Sequence, residues 1–320
     1  MTGARQGHVA SADTTVVGEN GKTTTEPAPG RLSDGVLSAL IERSDRKGLA
    51  HLAMHVLAIA AAGAVYAGAF DTTWMLPAAW FYGTALVFLF APLHETVHYT
   101  AFRSRWLNRA VSAVCGWILL LPARYFRAFH LEHHRYTQDP DRDPELAVAP
   151  PRTWSGYLWR VSGFQYWTSR VRTMLVHASG KVTEPYIAAS DRAAVVREAR
   201  LHLTSYMAVV AVSIATGSPA VLWLWVVPVV LGQPMLRLYL LAEHTGCPMV
   251  PEMLENSRTV HTNAIVRFLA WNMPYHAEHH AYAAIPFHAL SRTHAALAPY
   301  IREQSPGYAS VHRGLMRALR

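Results

Sequence analysis

Three short stretches of the 320-residue sequence concentrate side chains that bind metal. They are His94-Glu95-Thr96-Val97-His98, His130-Leu131-Glu132-His133-His134 and His276-Ala277-Glu278-His279-His280. Positions i, i+3 and i+4 share a helix face, so each stretch can aim two or three imidazoles at one point. Neutral imidazole is a ligand for Fe, Zn, Cu and Ni. A single HxxxH pair arises often by chance, but two HxxHH triplets beside an HxxxH pair form a far more specific pattern. Eight clustered histidines exceed the roughly four to six ligands of one ion, which indicates two metals. His244, in Leu241-Ala242-Glu243-His244-Thr245, is placed to supply a ninth ligand. Each stretch also carries a glutamate off its ligand face, and Glu95, Glu132 and Glu278 are candidates to hold imidazole N–H groups. Asn272, four residues before His276, is a fourth such candidate, by hydrogen bond or through water.

The elements that must position these residues are apolar and long. Residues 49–70, 74–93, 201–216 and 219–241 are four runs almost free of Asp, Glu, Lys and Arg. Most match a hydrocarbon core of roughly 30 Å at 1.5 Å per helical residue, the third being the shortest. Trp74, Trp80, Trp223 and Trp225 suit interfacial anchoring, and Pro77, Pro228 and Pro234 are tolerated in membrane helices. The expected architecture is an all-α integral membrane protein: four transmembrane helices in two hairpins, with a cytoplasmic helical cap, residues 94–200 and 242–320, carrying the histidine boxes. Val111 to Leu121 is too short to cross and reads as an interfacial or re-entrant piece. Trp154 to His177 mixes aromatic residues with arginines and reads as a helix in the headgroup plane.

The charge fits this topology. The hairpin tips, Asp71 to Thr73 and Gly217 to Ser218, carry no Lys or Arg, whereas residues 94–200 carry 15 of the 29. Positive-inside sorting then puts both termini and all three boxes on the cytoplasmic face of the cell membrane. The formal charge of +8 is thereby explained without a nucleic-acid partner. Residues 1–30, rich in Thr, Gly, Ala and Pro, read as a disordered tail ahead of one domain over 31–320, with no apolar core for a signal peptide. Two Cys allow neither a disulfide scaffold nor a zinc ribbon.

The order HxxxH, HxxHH, an isolated His, then HxxHH, interleaved with two apolar hairpins, resembles the membrane fatty acid desaturase superfamily over about residues 49–300. The resemblance extends to His133-His134-Arg135-Tyr136-Thr137 with Asp139, Asp141 and Asp143, and to Trp271-Asn272-Met273-Pro274-Tyr275. It implies a non-haem centre of two Fe2+ ligated by His94, His98, His130, His133, His134, His244, His276, His279 and His280. It implies an O2-dependent oxidoreductase that desaturates a lipid-type substrate, with a fatty acyl group the first choice, at the boundary between membrane and cytoplasm. The superfamily also includes hydroxylases and carotenoid-modifying oxygenases, so a di-iron hydroxylase of an alkyl, carotenoid or small amphiphilic substrate is the alternative. Each turnover draws two electrons from outside. The chain has only Cys115 and Cys247, no CxxC and no evident haem or flavin domain. A separate ferredoxin, rubredoxin or cytochrome with its reductase is therefore implied.

Two rivals come from other classes. His94 to His98 is also HExxH, the zinc-hydrolase pattern, but a membrane metalloprotease leaves both HxxHH triplets unexplained. A metal transporter would place its ligands near mid-membrane rather than at the edge. Other histidines read as bystanders. His51 and His55 lack a third partner, and His261, His288 and His294 are expected to pack near the third box.

Overall fold

The computed structural model describes residues 30–320, together with the backbone of β1 (Thr14–Val17) and β2 (Thr23–Glu26), which pair antiparallel. The rest of the expected 1–30 tail lies outside the described residues.

Helix α1 (Asp34–Leu40) leads into α2 (Asp45–Gly68), whose N-cap Ser44 accepts a hydrogen bond from Lys47 N. Within α2 only Gly48, His55 and Tyr66 are buried; Met54, Val56, Leu57 and Val65 face outward, as lipid-exposed residues do. Helix α3 (Met75–Val87) runs almost directly into α4 (Phe90–Val97), and together they span 23 residues, mostly buried. Helix α10 (Val227–His244) follows a π-helical turn at Leu222–Val226 and crosses α3 at a pair of glycines. A Cβ on Gly83 would stand 1.7 Å from the Pro228 carbonyl oxygen, and one on Gly232 would stand 2.2 Å from the Gly83 carbonyl carbon. Backbones that close are possible only where neither residue has a side chain, the small-residue packing of membrane helices.

Among the described residues three helices, Asp45–Gly68, Met75–Val97 and Leu222–His244, are long and apolar enough to cross a membrane. The expected third span, 201–216, is the C-terminal part of a 27-residue helix, α9 (Ala189–Ala215), whose N-terminal part carries Asp191, Arg192, Arg197, Glu198 and Arg200. By length and composition α9 does not join the three. A fourth span is obtained instead if α5 (Arg105–Ile118) and α6 (Ala123–Tyr136) count as one, although they meet at 101°. The re-entrant reading of Val111 to Leu121 therefore lands on this bend.

A bend in apolar surroundings frees carbonyls that must find donors. Tyr206 OH donates to Trp117 O at 2.7 Å, Trp225 Nε1 to Ile118 O at 3.0 Å, and Tyr166 OH to Leu119 O at 2.9 Å. Three consecutive carbonyls are satisfied by aromatic donors from three other segments. Trp154 to His177 is not one helix: it breaks into α7 (Trp154–Val161) and α8 (Phe164–Ala178) at Gly163, whose φ of 76° suits glycine.

The chain closes with short elements around the end of α10. These are α11 (Met253–Asn256), β3 (Arg258–Val260), α12 (Ala264–Leu269), α13 (His276–Ala281), α14 (Leu290–Leu297), β4 (Glu303–Ser305) and α15 (Tyr308–Arg317). β3 pairs parallel with β4, and Thr259 bridges to Tyr275, which fixes the start of α13.

Candidate metal centre

The histidines arrive from four helix segments. His94 lies in α4 and His98 caps its C-terminus; α6 carries His130, His133 and His134; His244 ends α10; and α13 opens on His276. Two groups form. His94, His98, His130, His134 and His279 place one ring nitrogen each within 4.8 Å of all the others, and His133, His244 and His280 do the same. His276 Nε2 joins the second group, 2.9 Å from His244 Nε2. All nine expected ligands thus lie at one end of the helix bundle. Adjacent residues on a helix point about 100° apart. His133 and His134 therefore serve different groups, as do His279 and His280, while the His134 and His280 rings stack at 4.0 Å where the groups meet.

The spacing suits metal binding. At roughly 2.1 Å from an ion, ligand nitrogens sit about 3.0 Å apart at right angles and about 3.4 Å apart in a tetrahedron. His98 and His130 Nε2 are 2.8 Å apart, His130 and His134 Nε2 3.1 Å, and His133 and His244 Nε2 3.2 Å. Hydrogen bonds at the other ring nitrogen fix the tautomers. His133 Nδ1 donates to Asp143 at 2.9 Å, and His244 Nδ1 donates to the Asn256 carbonyl at 3.2 Å. Thr137 Oγ1 spends its proton on the His133 carbonyl, so His280 Nδ1, 3.1 Å away, donates to it. Each of these three rings then offers its Nε2 lone pair to a common point.

Orphaned atoms make the same argument. Both nitrogens of fully buried His279, Nε2 of His280 and Nδ1 of His94 lack any hydrogen-bond partner. Buried polar atoms rarely go unsatisfied, and a ligand is one standard reason that they do. Burial, and after it the neighbouring His133, pushes His279 down to about 3. Burial first and nearby imidazoles second also hold His98, His276 and His280 well below the usual histidine value. Neutral rings are the form that coordinates.

The four residues expected to support these imidazoles bond elsewhere. Glu95 accepts from Thr100 Oγ1 and Phe287 N, Glu132 pairs with Arg135, Glu278 takes Thr259 and His294, and Asn272 donates to the Phe287 carbonyl. Position i+1 of the first box and position i+2 of the other two face away from the metal side and meet other polar groups instead. The imidazole partners are groups that spacing did not single out for this work: Asp143, Thr137 and the Asn256 carbonyl. Of these only Asp143 left a signal, within the acidic run after the second box. Glu95 also lacks the position of an HExxH general base, being fully buried against Thr100 and Phe287.

The bystander histidines stay outside both groups. His55 accepts from Trp271 Nε1 at 3.2 Å and lies 3.3 Å from the Ala85 carbonyl, and His51 packs against Phe268, Trp271 and Phe287. They brace the turn at Trp271 and Asn272, both at positive φ, that feeds α13. His261 meets Gln304, and His294 meets Glu278.

Over residues 71–312 the chain matches the fatty acid desaturase family model. It is 24% identical over 269 residues to an sn-1 oleoyl-lipid 12-desaturase of Picosynechococcus sp., covering 76% of this chain and 75% of that protein. It is 25% identical over 304 residues to an sn-1 oleoyl-lipid 12-desaturase of Synechocystis sp., covering 86% of this chain and 84% of the relative.

Proposed function

Because the chain belongs to the fatty acid desaturase family of oxidoreductases, we propose that it introduces a double bond into the acyl chain of a lipid, using O2 and a pair of irons at the membrane edge. The observation that carries this reading is the pair of buried imidazole groups, nine rings in all, with unpartnered nitrogens at metal-ligand spacing. His94, His98, His130, His134 and His279 would hold one iron, and His133, His244, His276 and His280 the other. Bound there, the metal pair supplies the electrons that reduce O2 and the oxidant that takes hydrogen from an unactivated C–H bond. Burial keeps rings such as His98, His276, His279 and His280 neutral, and Asp143, Thr137 and the Asn256 carbonyl fix the tautomers of His133, His280 and His244. The names of the two relatives support a lipid-linked acyl substrate.

Electrons come from a separate carrier, a ferredoxin, rubredoxin or cytochrome with its reductase. The basic segments that flank the boxes suit an acidic carrier. Both termini and the site face the cytoplasm in this reading, and single-cysteine labelling near Asp71 and Ser218 against positions near His130 and His276 checks it. The enzymatic test is direct. Iron-loaded protein in membranes, with O2 and a reducing system, converts acyl lipid to a product lighter by two hydrogens, and His279→Ala abolishes it. A product that instead gains an oxygen atom from labelled O2, or no product from inserted, iron-loaded protein, overturns the proposal.

A further inference from the structure

Glu145 stands where its neighbours make a carboxylate most consequential. It lies in the 3-10 turn Pro144–Ala147, and its Oε2 is 3.2 Å from His133 Nε2. That nitrogen is the one 3.2 Å from His244 Nε2, hence the one directed at the second metal. The other nitrogen of the same ring is held by Asp143 at 2.9 Å. Asp143 also accepts from Glu145 N at 2.9 Å and Gln138 N at 2.9 Å, while Gln138 Nε2 donates to the His244 carbonyl at 2.7 Å. One turn therefore carries carboxylates to both nitrogens of His133 and is tied to a second ligand helix.

We propose that Glu145 supplies an oxygen ligand to the metal held by His133, His244, His276 and His280. The inference rests on the two-metal reading above. With Nδ1–H given to Asp143, His133 presents a lone pair at Nε2. A carboxylate oxygen 3.2 Å from that nitrogen is held only with a proton or a metal ion between or beside the two. A metal on Nε2 satisfies both, and the separation lies between those of right-angle and tetrahedral ligands. Imidazole coordinates as a neutral donor, so the charge of two divalent ions in a buried site would have to be balanced by nearby carboxylates such as Asp143 and Glu145. Among the described residues Glu145 brings a carboxylate oxygen within 3.2 Å of the nitrogen that His133 turns toward His244. Its side chain is 44% exposed, which places this ligand on the open side of the centre, where it can be displaced.

The test uses the full-length protein in detergent, as wild type, Glu145→Gln, Glu145→Ala and His279→Ala, loaded anaerobically with Fe(II) and separately with Co(II). Metal per chain, resistance to a chelator and the visible Co(II) bands are read. Wild type should hold two ions. Glu145→Gln, which keeps the size of the side chain, and Glu145→Ala should release one of the two at least about 10-fold more readily and change the Co(II) bands. His279→Ala should weaken the other ion and leave the bands of the Glu145 site in place. Glu145 variants that hold both ions as firmly as wild type, with unchanged Co(II) bands, overturn the proposal while the two-metal reading stands. A wild type that holds fewer than two ions overturns both.

Discussion

Replacing Asp143 with Asn isolates the part of the centre that touches no metal. Asp143 is buried, and its two oxygens accept from three donors: His133 Nδ1 at 2.9 and 3.1 Å, Gln138 N at 2.9 Å and Glu145 N at 2.9 Å. Asn offers one oxygen and one NH2, so at least one of those N–H groups must then face a donor. Leaving a buried N–H unpaired costs about 1–3 kcal/mol, and losing a charge-assisted bond to the imidazole costs a similar amount. The first loss falls on the loop that carries Glu145, the second on the tautomer and basicity of His133. Iron bound through His133 should therefore weaken by about 10–100-fold, which is ~1.4–2.8 kcal/mol. Iron at the five-histidine group should be nearly unaffected. The assay is biphasic release of Fe(II) to a chelator, normalised to membrane-inserted protein. Asp141→Asn, at an exposed position two residues away, serves as the control. Release from Asp143→Asn at the wild-type rate, or equal loss of both irons, refutes the assignment of Asp143 to one ring of one group.

His133→Ala and His279→Ala should each lose iron while the chain still inserts, because its spanning helices satisfy their own backbone bonds; His51→Ala, which removes packing on Trp271 and Phe287, should keep both irons at some cost in thermal stability. Gly83→Ala forces a methyl against the Pro228 carbonyl and should destabilise the α3–α10 crossing by about 1–3 kcal/mol or more, read as a lowered unfolding temperature in detergent; an unchanged temperature would mean the crossing is not that close. Between about pH 6.5 and 3, folded metal-free protein binds fewer protons at His279 than the unfolded chain does, so its stability should fall as pH drops through that window, by up to ~1.4 kcal/mol per unit for this group; equal unfolding temperatures at pH 8 and pH 5 would contradict the neutral, buried ring.

Much of the centre is legible in the amino-acid sequence because helix periodicity and histidine spacing are the same kind of information. The clustering of eight imidazoles, and the expectation of two ions, follow from the count and from i, i+3 and i+4 spacing. Which ring joins which group does not, since the HH doublets look redundant until the 100° step between neighbours sends His133 one way and His134 the other. The supporting partners are harder still. Each glutamate inside a box is conspicuous by position, yet helix geometry turns it toward whatever backs the helix, as Glu95 turns to Thr100. Asp143 reaches His133 only because Gln138, at a φ of 63°, reverses the chain after α6. A pattern of residue types does not contain that reversal. The apolar run 201–216 misplaces the start of its helix for a related reason: backbone hydrogen bonds continue a helix regardless of polarity, so α9 begins 12 residues earlier, at Ala189, among charged residues.

The bend between α5 and α6 determines where chemistry happens. Had the two helices continued straight, their combined 32 residues from Arg105 to Tyr136 would extend about 48 Å, and the second box would lie far from His94 and His244. Turning by 101° returns α6 toward the ends of α4 and α10, which is where both groups assemble. Such a turn is stable in apolar surroundings only if its carbonyls are bonded, and Tyr206, Trp225 and Tyr166 supply the donors. Gly116 completes the device, since a Cβ there would stand 2.5 Å from the Leu121 carbonyl oxygen. The aromatic residues of α8, α9 and the segment before α10, which in composition look like membrane anchors, thus hold a backbone corner. That corner sets the angle at which three histidines meet the other six.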